Sequence, residues 1–322
     1  MAEKKSRPKL VVFGDPQKQG VAEAIEEFVD FARDKAEILA SYGIDDLINA
    51  AGSPCCTTAS RKKPHASAGS ADPDRARTLK KCDYAIVFGG DGSIISTVRN
   101  VSEASVPVVG VNVGKLGFLA EFSVQELKDF FPALAAGTAP VDRRMMLNCC
   151  VFSADRDGKR VRKFCSVAVN DVFITAGPPF RTIELKIQVD GQPLAGSVSD
   201  GLIIATPTGS TAYNLSAGGP IVSPKMAAVV ITPICPHSLS FRPIVIDAGS
   251  TVEVLGVRLN DGTTVSIDGQ ISLRLSIDDV VRVERQNNDF LIVNNPLRSQ
   301  WDTLATKLRW AKKPKYKEYP GV

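Results

Sequence analysis

Histidine is nearly absent from this chain: only His65 and His237 occur in 322 residues. Seven cysteines are present, none in a C-x-x-C spacing, so a zinc site is not expected. The odd cysteine count, with adjacent pairs Cys55-Cys56 and Cys149-Cys150 and no framework spacing, predicts reduced thiols. Long apolar runs are missing as well, and none approaches the ~18 residues that a membrane-spanning helix needs. After the basic start MAEKKSRPK, the run Leu10–Phe13 is too short for the apolar core of a signal peptide. A cytoplasmic location is therefore expected, with no membrane partner. Charge of one sign is also scarce: 39 Lys and Arg face 35 Asp and Glu, a net charge of +4. A dedicated nucleic-acid binder would show a clustered basic stripe, and these residues are dispersed. The small excess suits anionic phosphate substrates. Neither a Walker A loop nor a G-x-G-x-x-G is found, which excludes those two phosphate-binding mechanisms.

What is present is concentrated in two segments. Ser199–Val222 reads SDGLIIATPTGSTAYNLSAGGPIV. Leu202–Thr206 is an apolar strand candidate, and Pro207 ends its ladder because it has no N–H to donate. Thr208, Gly209, Ser210 and Thr211 then crowd hydroxyls and free amides before a short helical start over Ala212–Ser216. Unpaired N–H groups at such a point suit an anion or nucleotide, although an isolated segment of this kind also reads as a simple N-cap. The second segment is YAIVFGGDGSIIST, Tyr84–Thr97. Tyr84–Phe88 looks like a strand buried in a parallel sheet. Gly89, Gly90 and Gly92 let the backbone turn and approach a ligand, Ser93 is placed to cap the helix that starts at Ile94, and Asp91 sits at the C-terminal end of the strand. Open α/β sheets bind ligands at that edge. A carboxylate there can hold Mg²⁺, accept a proton from an attacking hydroxyl, or both.

Around these segments the first half alternates strands with helices. Leu10–Phe13 is strand-like, and Gly20–Tyr42 carries apolar residues three and four apart, which predicts one long helix stopped by Gly43. Gly52–Arg77 reads as a surface loop, Val106–Val111 as a strand, Asn112–Gly117 as a second glycine-rich turn, and Val124–Leu134 as a helix capped by Ser123. From Arg144 onward short alternating runs predominate: Asn148–Ser153, Phe164–Val169, Glu184–Val189, Thr251–Leu255, Thr264–Ile267, Ser272–Leu275 and Val280–Arg285. Asp-Gly pairs at 157, 190, 261 and 268 separate many of them, as in antiparallel β structure. Ser299–Trp310 reads as a short amphipathic helix, followed by a lysine-rich solvated end. The expected fold is α/β plus all-β: a doubly wound Rossmann-like domain over 1–142, then an antiparallel β-sandwich-like domain over 143–294.

GGDGS, GVNVGKLGFLAEF (Gly110–Phe122), Asn170-Asp171, DGLIIATPTGSTAYNLSAGGPIV, PICPHSLSFRPIVI (Pro233–Ile246) and Asp268-Gly269-Gln270 follow one another between Lys9 and Gln270. In this order and spacing they resemble the NAD kinase family. GGDGS alone also occurs in phosphofructokinases and lipid kinases; TPTGSTAYNLSAGGPIV is far more specific. The resemblance implies transfer of the terminal phosphoryl group of ATP, or of polyphosphate, to the 2′-hydroxyl of the adenosine ribose of NAD, giving NADP. A divalent ion, with Mg²⁺ the first choice, is implied, as are a homodimer or homotetramer and a tail over 295–322 packing on the first domain. Asp91 is the implied general base or metal organiser, with Gly89, Gly90, Gly92 and Ser93 as the phosphate-donor loop. Asp91, Gly92, Asn170, Asp171, Arg181, Asp200, Thr211, Ala212, Tyr213, Asn214, Leu215, Ser216 and Gln270 are implied to meet NAD. Asp171 stands where the family more often has Glu, and Val198 where it often has a basic residue. His237, between prolines and apolar residues, reads as structural. A lipid or sugar kinase sharing GGDGS, and a non-catalytic dinucleotide-binding regulator, are the competing readings.

Overall fold

A computed structural model describes residues 7–44, 73–114, 117–155 and 157–309. The expected loop as far as residue 72, Cys55-Cys56, His65 and the lysine-rich end lie outside the described residues. Strands and helices are numbered in chain order. The first sheet contains β1 (Lys9–Gly14), β2 (Glu37–Gly43), β3 (Tyr84–Gly89), β4 (Val108–Asn112), β5 (Val141–Arg144) and β18 (Phe290–Val293), ordered β2-β1-β3-β4-β18-β5. All of its pairings are parallel except β18 with β5. Leu10–Phe13 and Ala85–Phe88 are fully buried because helices cover both faces. On one face α1 (Val21–Ala32) and α4 (Val124–Ala136) pack through Phe28, Leu127 and Phe131; on the other, α3 (Asp91–Val101) packs through Ile94, Ile95 and Val98. Ser123 caps α4 as expected, and Glu126 completes a capping box.

The fold departs from the sequence-based expectation at three places. The long helix ends at Ala32, and Glu37–Gly43 becomes β2, with Gly43 closing the strand. Val21, Ala24, Phe28 and Ala32 are the buried stripe; beyond them parallel pairing with β1 overrides a helical spacing that persists only by coincidence. Residues Pro73–Leu79, partly within the expected loop, form α2. Cys150 and Cys165 are cross-strand partners and form a disulfide, so these two thiols are not reduced; Cys82, Cys149 and Cys235 are free.

The chain then builds two further six-stranded sheets. One contains β6 (Leu147–Ala154), β7 (Arg160–Ala168), β9 (Ile183–Val189), β10 (Gln192–Ser199), β14 (Val252–Arg258) and β17 (Val280–Arg285). The other is ordered β13-β12-β11-β8-β15-β16, from β8 (Asp171–Thr175), β11 (Gly201–Ala205), β12 (Ala228–Ile234), β13 (Ile244–Asp247), β15 (Thr264–Ile267) and β16 (Ile271–Arg274). Their inner faces share one core, including Leu147, Val151, Leu185, Ile187, Ile204, Ile231 and Val265, which is the packing of a sandwich. At Asp190-Gly191 and Asp268-Gly269 both residues have positive φ (52° and 75°, 53° and 65°), the twist that a two-residue hairpin turn requires. Phe290–Val293, expected in the second domain, returns to the first sheet beside β4. Among the described residues no helix is long and apolar enough to cross a membrane.

Candidate active site

Helix α3 begins directly after β3, one strand from β1 in the order β2-β1-β3-β4. Strand order reverses there, and the loops at the C-terminal ends of β1 and β3 flank the crevice. Gly90, not Ser93, is the N-cap; it is extended (φ −96°) and makes no side-chain cap bond. The helix therefore starts at Asp91, earlier than expected, and Ser93 is buried in the first turn. The Asp91 carboxylate turns towards the loop after β4. Oδ2 accepts the Phe118 amide at 2.7 Å; Oδ1 accepts those of Leu119 at 2.9 Å and Ala120 at 3.2 Å. A carboxylate offers about four lone-pair positions, so Oδ2 keeps one free. The fit depends on Gly117, where a Cβ would stand 1.8 Å from Asp91 Oδ1.

The second cluster stands where β7 passes into β8. Thr206, at the end of β11, donates its amide to the Asn170 carbonyl at 2.8 Å and its hydroxyl to that of Val169 at 2.7 Å. Gly209, in the 3-10 turn Thr208–Thr211, lies so close that a Cβ would meet the Asn170 carbonyl at 2.0 Å. Asn170, Asp171, Phe173, Thr175, Ala212, Tyr213, Asp268 and Gly269 line an open cleft of about 490 Å³. Tyr213, at the start of α5 (Tyr213–Ser216), sits edge-to-face with Phe173 at 5.0 Å and stays 38% exposed, leaving ring surface for a flat ligand. Asp171 is 2% exposed. Burial, and then the neighbouring Asp268 carboxylate, push its pKa up to about 7, while the Tyr213 backbone amide works against them.

Two residues missed by sequence reasoning, Arg99 and Asp268, connect the clusters. The Arg99 guanidinium, on α3, pairs with Asp268 at 2.7 Å, both side chains being buried. Asp268 in turn accepts the amides of Val169, Asn170 and Asp171. Gln270 donates to the Gly92 carbonyl at 2.9 Å and accepts from the Ser96 hydroxyl at 2.8 Å. An Asp-Gly pair reads as a turn and an arginine in a helix as surface, so only the fold reveals this contact.

The other sequence-derived candidates do not line that cleft, although the Asp200 carbonyl accepts the Ala176 amide at 2.9 Å, next to Thr175 at its edge. Asp200 is exposed at the opposite end of β11, with about 20 Å of strand between it and Thr206. Arg181 is exposed on the loop following Pro178-Pro179. Asn214 is buried, its amide spent on the carbonyls of Ser210 and Pro220 and the hydroxyl of Thr232. Leu215 is half-buried and Ser216 exposed, both on α5. Thr211 faces a smaller cavity of about 140 Å³, beneath the tail helix α6 (Gln300–Leu308) and beside Phe118 and Thr208. His237, read as structural, is exposed. Among the described residues no cluster of three or more His, Cys, Asp or Glu side chains is placed to hold a metal ion.

These features define a two-domain protein in which the helix that follows a glycine-loop carboxylate at a parallel sheet edge is bonded to the turn lining a cleft of the β-sandwich. The model of the ATP-NAD kinase N-terminal domain matches residues 17–139 and that of the C-terminal domain residues 169–295. This chain belongs to the NAD kinase family. It is 40% identical over 232 residues to the NAD kinase of Geobacter sulfurreducens, covering 72% of this chain and 80% of that one. The NAD kinase of Desulforamulus reducens is 40% identical over 229 residues, 71% of this chain and 78% of the relative. Yeast NADH kinase, solved in complex with NADH, superposes with a TM-score of 0.76 at 26% identity, over 98% of this chain and 91% of that one. An NAD kinase from Archaeoglobus fulgidus shares the fold, with a TM-score of 0.67 at 23% identity over 94% and 98% of the two chains.

Proposed function

We propose that this protein transfers the terminal phosphoryl group of ATP to the 2′-hydroxyl of the adenosine ribose of NAD, giving NADP. The observation that carries the reading is the junction itself. Gln270 and Asp268, from the turn that also lines the Asn170–Tyr213 cleft, bond to the helix that begins with Asp91. An adenosine gripped in the cleft then presents its ribose towards the sheet edge. Asn170 and Asp171 supply donors and acceptors for the base and its sugar, and Tyr213 offers a ring to stack on. Gly90 and Gly92, exposed where β3 passes into α3, offer the turn on which the phosphates lie, and Ala212 borders the dinucleotide. Asp91 accepts the ribose proton at the free position of Oδ2 while its three amide bonds hold it in place. Orientation and electrostatics supply most of the acceleration, because a ribose hydroxyl is a poor acid. The divalent ion, Mg²⁺ in this reading, enters on the triphosphate as part of the donor, as hard cations in phosphoryl transfer usually do. Asp200 and Arg181, exposed and outside the cleft lining within one chain, meet NAD across the interface with a second copy in this reading. Self-association fits the edge strand β13, whose Ile244 and Val245 are 37% and 45% exposed.

Incubation with NAD, ATP and Mg²⁺ followed by assay for NADP tests the reaction; absence of NADP overturns it. Parallel arms with polyphosphate and with NADH define the donor and the redox state of the acceptor. Light scattering tests association: a mass of 34.5 kDa, that of one chain, would overturn it.

A further inference from the structure

Arg99 lies outside the cleft lining, yet its guanidinium bonds to three residues of the second domain. Its Nε donates to the Val167 carbonyl at 3.1 Å, one terminal nitrogen to Gln270 Oε1 at 3.3 Å and the other to Asp268 Oδ2 at 2.7 Å. The Arg99 and Asp268 side chains are only 5% and 0% exposed. A buried ion pair is weak evidence for stability, because desolvation offsets its attraction. What this pair does have is direction. Asp268 presents its other oxygen to three successive amides, Val169, Asn170 and Asp171, at 3.1, 2.7 and 3.2 Å. Those amides belong to the turn that starts β8. Arg99 stands two helical turns after Asp91 on the same helix, α3.

We propose that Arg99 and Asp268 are a positioning pair that locks the Asn170–Asp171 turn to the Asp91 helix, holding the gripped ribose in register with the carboxylate that deprotonates it. The proposal rests on the function given above and adds two buried side chains that do not reach the substrate. Lysine keeps the charge, but its single ammonium group does not span Val167, Asp268 and Gln270 as a planar guanidinium does. The pair therefore acts through geometry, and a few tenths of an ångström at the turn become misalignment at the reacting hydroxyl.

The test compares Arg99→Lys, Arg99→Leu and the charge-free double variant Arg99→Leu/Asp268→Asn. The last guards against misfolding of a chain left with a buried unpaired carboxylate. Steady-state kinetics are measured with each substrate varied, and amide hydrogen exchange is followed in the ligand-free proteins. The expected result is a split: kcat falls about tenfold or more and KM for NAD rises several-fold in the leucine and double variants, while KM for ATP stays within about twofold. Arg99→Lys recovers only part of kcat. The amides of Val169, Asn170 and Asp171 exchange at least about tenfold faster, while those of β9 and β14 are unchanged. Wild-type kcat and NAD KM in the folded variants, or equal loss towards both substrates, would overturn the proposal. Failure of the wild type to make NADP would overturn the function instead, and unchanged exchange at Val169–Asp171 would still sink the pairing on its own.

Discussion

Asp91 and Asp171 are the same residue, each the first of its element, yet the fold gives them opposite surroundings. Asp91 opens α3, is half-buried, and takes three amides from a separate loop. Asp171 opens β8, is almost wholly buried, and faces another carboxylate. The first is an acceptor held at a fixed angle with a lone pair to spare. The second resists ionisation even though the Tyr213 amide donates to it. Residue type alone does not assign a role; neighbours supplied by distant segments do.

Removing the Asp91 charge tests the contrast most severely. Asp91→Asn should lower kcat about 10²–10⁴-fold, the range for loss of a positioned base, with NAD affinity close to wild type and a stability loss of about 1–2 kcal/mol, because the new Nδ2 meets an amide N–H whose bond it cannot accept. Activity near the wild-type rate would remove Asp91 from the mechanism. Gly117→Ala should act through the same carboxylate without altering it: the added methyl must push Asp91 aside, and kcat should fall roughly 10²-fold. If a substitution at Gly117 left the rate intact, the three-amide clamp would not matter.

Asp171 sharpens the other side. Its pKa is raised in the folded state to about 7, so below the ordinary carboxylate range the group is protonated whether the chain is folded or not. As pH rises from about 4 to about 7 the unfolded chain gives up the proton first, and the associated stability is lost. Asp171→Asn cannot titrate. Its melting temperature relative to wild type should therefore climb between pH 4.5 and 8, by the equivalent of about 3 kcal/mol. A pH-independent difference would show that Asp171 titrates normally. Ribose hydroxyls donating to this carboxylate favour its ionised form, so NAD should bind wild type more tightly at pH 8 than at pH 6, a trend absent from the variant.

The smallest effect is expected at the tail. Lys307 Nζ lies 4.5 Å from the centre of the Phe118 ring, next to the amides that hold Asp91. Lys307→Leu should cost about 0.5–1 kcal/mol in denaturant unfolding and change kcat by less than about threefold. A larger kinetic effect would mean that the tail helix helps to set the clamp.

Much of this was legible because it is local. GGDGS after an apolar run announces a strand, a tight turn and a helix, and Ser123 with Glu126 announces a cap. Asp-Gly pairs mark hairpins, since few other residues accept two positive φ angles in succession. The differences are equally local: a helical spacing runs on through Glu37–Gly43, which pairs as a strand, and Ser93 has the look of a cap that Gly90 supplies. Both follow from treating a segment as if it had no neighbours.

Short-range chemistry in the chain was enough to determine the two kinds of domain, the glycine loop with its aspartate, and the family, because backbone sterics and hydrophobic period act over a few residues. Tertiary structure alone decided that Glu37–Gly43 pairs as a strand, that Phe290–Val293 returns to the first sheet, and that Arg99 meets Asp268 across 169 positions of sequence. Those outcomes depend on which surfaces are buried together, and burial is a property of the folded whole rather than of any stretch within it.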